Sequence, residues 1–255
     1  MLPISSSTPP AFAPEQRAMF VEGMHLLTAR QIPYAISGAF ALHEHTGIWR
    51  DTKDLDIFLT QQDVPAALQV LSEAGFQTEI CDPVWLCKAH RGSYFLDLIT
   101  GMSNAAIVVQ PDWITRATST EVLGVPVKVL AAEELIASKV FVTRRERFDG
   151  ADIAHIIHGT GGRLNYARIL DLLGEHWMML LWMLVLYQYA YPAHAHYVPC
   201  ELWNDLLGRL QHELKHHNPA AAFRGSLIDD KMFAIDVEEW GMADLNARLR
   251  TSRNP

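Results

Sequence analysis

Two carboxylates stand two residues apart in an otherwise aliphatic stretch of the chain. Asp54 and Asp56 begin the run Asp-Leu-Asp-Ile-Phe-Leu, in which polar and apolar side chains alternate. This period of two predicts a β-strand that projects both acids from one face, with Cα atoms about 7 Å apart. Because two like charges this close favour a cation between them, and because carboxylate oxygens suit Mg²⁺, the pair indicates a metal site.

A third carboxylate also lies within an otherwise apolar stretch, further along the chain. Asp97 lies within the apolar run Tyr-Phe-Leu-Asp-Leu-Ile, for which we predict a strand at residues 93–99. Three carboxylates can bridge two metal ions about 4 Å apart, an arrangement that serves phosphoryl or nucleotidyl transfer. An Asp pair at a strand end is more often a solvated edge or a turn cap, so this interpretation needs a second feature.

That second feature is the segment Ser37-Gly38-Ala39, which follows a predicted strand at 34–37 and opens a predicted helix at 39–45. Gly38 permits a close backbone approach, and the unpaired N–H groups of a helix start can bind phosphate. The phosphate-binding turn and the acidic strands support each other.

The sequence around these residues predicts a mixed α+β fold in the first half of the chain. Apolar side chains recur at helical spacing in some segments and alternate in others. The predicted helices are 15–30, 39–45 and 64–74, and the predicted strands are 34–37, 54–59, 76–80, 84–88, 93–99 and 125–130. Because several connections are of hairpin length, we expect a mixed β-sheet flanked by helices.

The second half of the chain is predicted to be helical. Helical periodicity covers 133–145, 150–157, 165–173, 177–191 and 202–216, and no strand pattern is found after residue 131. These changes predict a mobile tail at 1–14, a sheet-containing domain at 15–130 and a helical domain at 131–255. The most apolar segment, 177–191, is shorter than the roughly 20 residues that a membrane-crossing helix needs, so we expect it in the core.

Composition narrows the class of protein. The 255 residues are 49% hydrophobic and carry a net charge of −8, which disfavours general binding to DNA or to an anionic membrane. Three cysteines fit no disulfide framework or metal-ligand spacing, and the N-terminus lacks the pattern of an export signal, so a cytoplasmic setting is expected. Seven histidines of the second half likewise form no recognised ligand spacing with acids or cysteines, namely His155, His158, His194, His196, His212, His216 and His217.

Two cationic residues and a threonine recur at helical spacing in the second half of the chain. Lys139, Thr143 and Arg147 are spaced at i, i+4 and i+8, so they share one stripe if the predicted helix 133–145 continues that far. Such a stripe could face the acidic strands across a cleft and bind a triphosphate. Asp149, followed by Asp152, predicts a helix N-cap with an acid at the third position, and Asp152 is an alternative partner for Arg147 or Lys139.

The order of these elements resembles the polymerase-β-type nucleotidyltransferase superfamily. The resemblance covers residues 32–152 and rests on the strand before Gly38, the motif Asp54-Leu-Asp56-Ile and the later Asp97. Within the superfamily, "RDTKDLDIFL" followed by "AAEELIASKVFVTRRERFDGADIAHII" is similar to small bacterial nucleotidyltransferases that include AbiEii-type toxins. The family usually has Gly or Ser where this chain has Ala39.

The resemblance implies an Mg²⁺-dependent enzyme that moves a nucleoside monophosphate from a nucleoside triphosphate to a hydroxyl. It implies that Asp54, Asp56 and Asp97 bind Mg²⁺, with two ions expected. It also implies that Gly38 cradles the triphosphate and that Lys139 contacts the nucleotide phosphates. From their positions in the sequence, Ser37, Ala39 and Arg147 are expected at the same phosphates, and the helical domain is expected to complete the cleft. The acceptor stays open among a tRNA end, a protein and a small molecule, and an antitoxin partner is implied. The alternatives are an inactive nucleotide-binding or partner-binding module, suggested by Ala39, and metal-assisted phosphoester hydrolysis.

Overall fold

The computed structural model describes residues 4–5, 11–50 and 52–253 of the chain. These residues form two compact units, the first running up to Leu135 and the second spanning Ile136–Arg253. Each unit has its own buried apolar core. They are described separately below.

The first unit is built on a mixed sheet. Its strands are β1 (Ile4–Ser5), β2 (Ala35–Ile36), β3 (Trp49–Arg50), β4 (Asp54–Phe58), β5 (Gln77–Asp82), β6 (Leu86–Arg91), β7 (Tyr94–Ile99), β8 (Thr118–Val122) and β9 (Val125–Val129). Seven of these pair in the order β5-β6-β7-β4-β2-β9-β8, and β1 pairs separately with β3. The pairs β4–β7 and β2–β9 are parallel and the other pairs are antiparallel, which confirms the predicted mixed sheet.

Two helices of the first unit pack against the face of this sheet that lies opposite the acids. The helices of the unit are α1 (Pro14–Ala29), α2 (Gly38–Thr46), α3 (Val64–Glu73) and α4 (Pro111–Arg116). Leu55 and Ile57 of β4 and Leu96 of β7 are fully buried, and α1 contacts β7 while α3 contacts β5 and β6. Because side chains alternate along a strand, burying these residues directs Asp54, Asp56 and Asp97 to the opposite face.

Several short or polar elements of the first unit differ from the prediction. Strands β3 and β8 were not predicted. Strand β8 has the sequence Thr-Ser-Thr-Glu-Val, and β3 is two residues long, so neither carries a clear alternating pattern. Strand β6 begins two residues later than the predicted start at 84, after a turn that places Val84 against the Asp82 carboxylate. Most of the predicted mobile tail, residues 1–14, lies outside the described residues. Strand β1 and residues 11–13 are the parts of the tail before α1 that the structure describes.

The second unit is helical apart from one small hairpin. Helix α5 (Ala132–Lys139) ends in it, and the elements that follow are β10 (Thr143–Arg144), β11 (Arg147–Phe148), α6 (Gly150–Gly159), α7 (Tyr166–Leu173), α8 (Trp177–Ala190), α9 (Cys200–Lys215), α10 (Gly225–Ile228), α11 (Ala234–Glu238) and α12 (Leu245–Arg253). The apolar helix α8 contacts α6, α7 and α9. Its packing agrees with the predicted core position.

The predicted helix 133–145 is wrong in its second half. Helix α5 ends at Lys139, and Thr143 pairs with Phe148 in the β10–β11 hairpin. Val140, Val142 and Thr143 are β-branched, and such side chains lose rotamer freedom in a helix and favour extended backbone. The expected stripe of Lys139, Thr143 and Arg147 along one helix therefore does not form.

One stretch of the second unit is long and apolar enough to cross a membrane by length and composition. It runs from Tyr166 to Ala190; its most apolar window of 18 residues has a mean hydropathy of 1.6, and 44% of that window is buried inside the protein. The stretch includes the short 3-10 turn Gly174–His176, and the core helix of a soluble protein passes the same test. A single stretch of this kind is weak evidence for a membrane span.

Candidate active site

The three acids singled out by the sequence lie on one face of the sheet. Strands β4 and β7 are parallel and in register, and Asp56 lies directly opposite Asp97. Asp54 precedes Asp56 by two residues on the same strand, so its side chain points the same way. Asp97 is only 8% exposed, whereas Asp54 and Asp56 are partly exposed. The sheet therefore directs all three carboxylates toward the same side of the molecule.

Gly38 brings the start of α2 against this row. Its φ is +58°, and a Cβ atom at this position would overlap the Oδ2 atom of Asp56. The preceding residue, Ser37, is extended and buried, and its N–H donates a 2.9 Å hydrogen bond to the backbone oxygen of Asp56. Ala39 occupies the first turn of α2. The backbone N–H groups of this turn form the kind of site that binds anions at a helix start.

Asp54 is held by a neighbour that sequence reasoning did not single out. The Thr52 hydroxyl donates a 2.6 Å hydrogen bond to Oδ1 of Asp54. The Gln16 amide of α1 in turn donates a 2.8 Å hydrogen bond to the Thr52 carbonyl oxygen, and Gln16 is 6% exposed. These contacts restrict the orientation of the Asp54 carboxylate. A Thr two residues before an Asp is too common a spacing to have signalled this role.

Lys88 is a second residue that sequence reasoning missed. It lies opposite Asp97 across β6 and β7, and its Nζ atom is 2.9 Å from Oδ1 and 3.2 Å from Oδ2 of Asp97. Glu79 lies opposite Lys88 on its other side, across β5 and β6. Glu79, Lys88, Asp97 and Asp56 thus form one row of charged side chains across four strands. The register that forms this row joins distant segments, so no local pattern predicts it.

The pKa values of this pair are both raised. Burial raises the pKa of Asp97, and the hydrogen bond and charge of Lys88 offset that rise only in part, while the nearby Asp54 charge adds to it. Burial acts to lower the pKa of Lys88, but the hydrogen bond and charge of Asp97, together with the charges of Cys81 and Asp54, raise it overall. Lys88 is therefore a firmly charged ammonium within the acidic row.

The donor chemistry of the row suits a hard divalent cation, because carboxylate oxygens are the ligands that Mg²⁺ prefers. The absence of a Cβ atom at Gly38 lets the Asp56 carboxylate lie directly against the start of α2, so cation ligands and helix-start N–H groups are neighbours. Within residues 4–5, 11–50 and 52–253, no three His, Cys, Asp or Glu side chains are arranged as they stand to hold a metal ion. Both oxygens of Asp97 are instead in contact with the Lys88 ammonium.

The predicted phosphate-binding cations lie in the second unit and have protein partners there. The Nζ atom of Lys139 is 2.7 Å from Asp149 and 2.8 Å from Asp152, and Lys139 is 7% exposed. The Nε atom of Arg147 is 3.1 Å from Asp149, although the Arg147 side chain is 71% exposed. The alternative that Asp152 pairs with Lys139 agrees with this geometry.

The predicted side-chain cap of α6 is wrong. Asp149 occupies the N-cap position, but its side chain makes no capping hydrogen bond to the start of the helix. Its carboxylate instead binds Lys139 and Arg147. Burial acts to raise the pKa of Asp149, but these two cations lower it overall. A buried ammonium competes for the carboxylate more strongly than a backbone N–H, because a charge left unpaired in the interior is costly.

A mixed sheet that carries three acids on one face, with a glycine-led helix start against them, defines a nucleotidyltransferase fold of the polymerase-β type. The chain belongs to the family described as "Nucleotidyl transferase of unknown function (DUF2204)", whose model matches residues 17–173, more than half of the sequence. The chain is thus a nucleotidyltransferase, as predicted. No curated protein matches it.

Solved structures with related architecture include other nucleotidyltransferases. The antibiotic-resistance factor ANT(2'')-Ia is 15% identical, with 71% of this chain and 97% of that chain covered and a TM-score of 0.44. The lincosamide antibiotic adenylyltransferase LnuA, solved with lincomycin, is 17% identical, with coverages of 56% and 95% and a TM-score of 0.39. An antigenic nucleotidyltransferase-like protein from Paracoccidioides brasiliensis is 17% identical, with coverages of 72% and 94% and a TM-score of 0.46. At these values the family assignment rests on the family model alone.

Proposed function

We propose that this chain transfers a nucleoside monophosphate from a nucleoside triphosphate to a hydroxyl acceptor and releases pyrophosphate. The observation that carries the proposal is the row in which Gly38 lies against Asp56 and Asp56 lies opposite Asp97. A helix start beside paired carboxylates combines the two features that triphosphate binding requires, namely N–H donors for phosphate oxygens and ligands for the accompanying cation.

The proposed roles follow from position. Gly38 and Ala39 cradle the phosphates with backbone N–H groups, and Ser37 contributes its hydroxyl because its own N–H already binds Asp56. Asp54, Asp56 and Asp97 hold Mg²⁺, two ions being expected. Bound there, Mg²⁺ would offset the negative charge that develops on the α-phosphate and on pyrophosphate. The acceptor oxygen forms a bond to the α-phosphorus as the bond to the pyrophosphate oxygen breaks. The proton of the acceptor hydroxyl passes to Asp97.

Lys139 is proposed to contact the nucleotide phosphates because the resemblance implies it, and Arg147 is proposed because its position in the sequence suggested it. The exposed Arg147 side chain can turn from Asp149 to phosphate, because the buried Asp149 carboxylate keeps Lys139 as a partner. The buried Lys139 would have to keep at least one of its carboxylate partners while it binds a phosphate oxygen. Arg147 is therefore the better candidate for direct contact.

The proposal also covers the acceptor molecule, the cellular compartment and a protein partner. The acceptor is a tRNA end, a protein hydroxyl or a small molecule, since all three present the same hydroxyl to the same acids. A cytoplasmic setting is consistent with the free cysteines Cys81, Cys87 and Cys200. An antitoxin partner belongs to the proposal through the resemblance to AbiEii-type toxins.

The test is incubation of the protein with each α-labelled nucleoside triphosphate, Mg²⁺, total tRNA and cell extract. We expect label to move to one acceptor pool in a reaction that EDTA stops. The variant Asp54→Ala/Asp56→Ala should abolish the transfer. The matched control Asp171→Asn removes a carboxylate that is 74% exposed in the second unit and should leave the transfer unchanged.

Two other outcomes would point to the alternatives. Nucleotide binding by calorimetry without any transfer of label would favour a binding module. Metal-dependent release of free nucleotide or phosphate, with no labelled acceptor, would favour phosphoester hydrolysis.

A further inference from the structure

Lys88 is unusual among the charged residues of the site because it already neutralises one of the acids. Its ammonium contacts both oxygens of Asp97, and neither side chain of the pair is fully exposed. Asp54 adds its own attraction for this ammonium. A lysine in this position occupies, with its single positive charge, carboxylate oxygens that a divalent cation would need.

The sheet also provides Lys88 with a second carboxylate. Glu79 lies directly opposite Lys88 on the side away from Asp97, and opposed residues of an antiparallel pair have Cβ atoms about 5 Å apart. A lysine side chain is long and flexible enough to move its ammonium between two such neighbours. Glu79 is exposed, so water can reach the ammonium there.

We propose that Lys88 is a built-in counter-ion of the acidic row, which pairs with Asp97 when no divalent cation is bound and is exchanged toward Glu79 when one binds. The inference rests on the proposed function, because it assumes that Asp97 serves as a metal ligand. It assigns Lys88 a positioning role: the ammonium keeps Asp97 ordered and its charge balanced, and it sets the affinity of the row for metal. Phosphate-bound metal enters by displacing a cation rather than by filling a bare acidic pocket.

The charge of Lys88 and its competition with metal for Asp97 predict how substitutions of Lys88 change the affinity for metal. Replacing Lys88 by Met removes a positive charge beside the metal ligands and frees both oxygens of Asp97, so metal should bind more tightly. Hydrogen bonds to charged groups contribute enough for a change of about tenfold in the dissociation constant. Replacing Lys88 by Arg keeps the charge and offers a guanidinium that can hold both oxygens of Asp97, so metal should bind no more tightly than to the wild-type protein.

The test is titration of the purified protein with Mn²⁺ alone, in which the free ion is followed by electron paramagnetic resonance. Lys88→Met should bind Mn²⁺ about tenfold more tightly than the wild-type protein. Lys128→Met is the matched control, because this lysine of β9 donates to backbone oxygens of Ile114 and Thr115 and its loss changes the net charge equally. Equal or weaker binding by Lys88→Met, or absence of Mn²⁺ binding by the wild-type protein, would overturn the proposal.

A second variant keeps the proposal testable if Lys88→Met folds poorly. Glu79→Gln changes an exposed residue and removes the alternative partner of Lys88, so Mn²⁺ should bind several-fold more weakly than to the wild-type protein. In the double variant with Lys88→Met this effect should vanish, because no ammonium remains to be relocated. An unchanged affinity in Glu79→Gln, or the same loss with and without Lys88, contradicts the exchange.

The metal titration does not depend on transfer activity, so the two proposals fail separately. A protein in which Lys88→Met binds Mn²⁺ more tightly but no label reaches any acceptor disproves the proposed function alone. A protein that transfers label but shows no gain in Mn²⁺ affinity in Lys88→Met disproves the counter-ion role alone.

Discussion

Gly38 and Asp56 approach each other so closely that a single added methyl group would overlap the Asp56 carboxylate. The residue also has a φ of +58°, a conformation that side chains of L-residues disfavour. Gly38→Ala should therefore lower the free energy of unfolding by more than the roughly 1–2 kcal/mol of backbone strain, and it should displace Asp56 and abolish transfer. Urea unfolding and the labelled-transfer assay measure the two effects.

Gly75 provides the matched control for this prediction. Its φ is +86°, but a Cβ atom there would meet nothing within 4 Å. Gly75→Ala should show the backbone strain without the overlap, with a loss of about 1–2 kcal/mol and normal transfer activity. Equal activity in the two alanine variants would mean that the contact between Gly38 and Asp56 has no part in catalysis.

Thr52 orients the Asp54 carboxylate through its hydroxyl. Thr52→Val keeps the shape of the side chain but removes this hydrogen bond, which contributes about 1 kcal/mol, so we expect kcat to fall by about fivefold with a small change in KM. Thr115→Val removes a hydroxyl that donates to the Asp112 carbonyl oxygen at an exposed site and should have no such effect. A Thr52→Val enzyme with unchanged kcat would show that Asp54 is held well enough by its strand.

The acidic face of the sheet could be predicted from sequence because its signal is local. Asp54 and Asp56 alternate with buried aliphatic residues on one strand, and that alternation alone decides which face each side chain takes. Gly38 could also be predicted from a local signal, since a glycine between a strand and a helix start permits a close approach of the backbone. The mixed sheet and the family followed from these elements taken in order.

The partners of these residues could not be predicted, because they depend on register. Lys88 meets Asp97 only because β6 and β7 pair at that position, and a shift of one residue would place Lys88 on the other face. Lys139 illustrates a second limit. Its helical spacing suggested a stripe shared with Arg147 that faces the acidic strands, whereas the helix ends at Lys139 and the side chain is buried between Asp149 and Asp152.

The buried position of Lys139 predicts a large effect on stability. Lys139→Met leaves Asp149 and Asp152 in a site built around an ammonium, and removing one partner of a buried ion pair costs about 3–5 kcal/mol. Circular dichroism during urea unfolding should show a loss of this size. The control Arg209→Met breaks an exposed pair with Asp205 in the same unit and should cost less than about 1 kcal/mol. A small effect of Lys139→Met would show that water or a rearranged neighbour compensates for the lost charge.

The same ion pairs predict how stability depends on pH. Burial acts to raise the pKa of Asp149, but the charges of Lys139 and Arg147 prevail and hold this pKa below its usual value of 3.8. The unfolded chain therefore takes up this proton at a higher pH than the folded chain, so the contribution of Asp149 to stability is present above pH 3.8 and is lost as the pH falls through the folded-state pKa.

The variant Asp149→Asn isolates this contribution, because the other titrating groups are common to both proteins. We expect the difference in the free energy of unfolding between wild type and Asp149→Asn to be constant from about pH 7 to pH 5 and to shrink below that range. Urea unfolding at a series of pH values measures it, and Asp171→Asn, which changes an exposed carboxylate, should show little difference at any pH. A difference that stays constant down to pH 2 would mean that the folded-state pKa of Asp149 is not lowered by Lys139 and Arg147. The cost of the substitution would then come from packing rather than from charge.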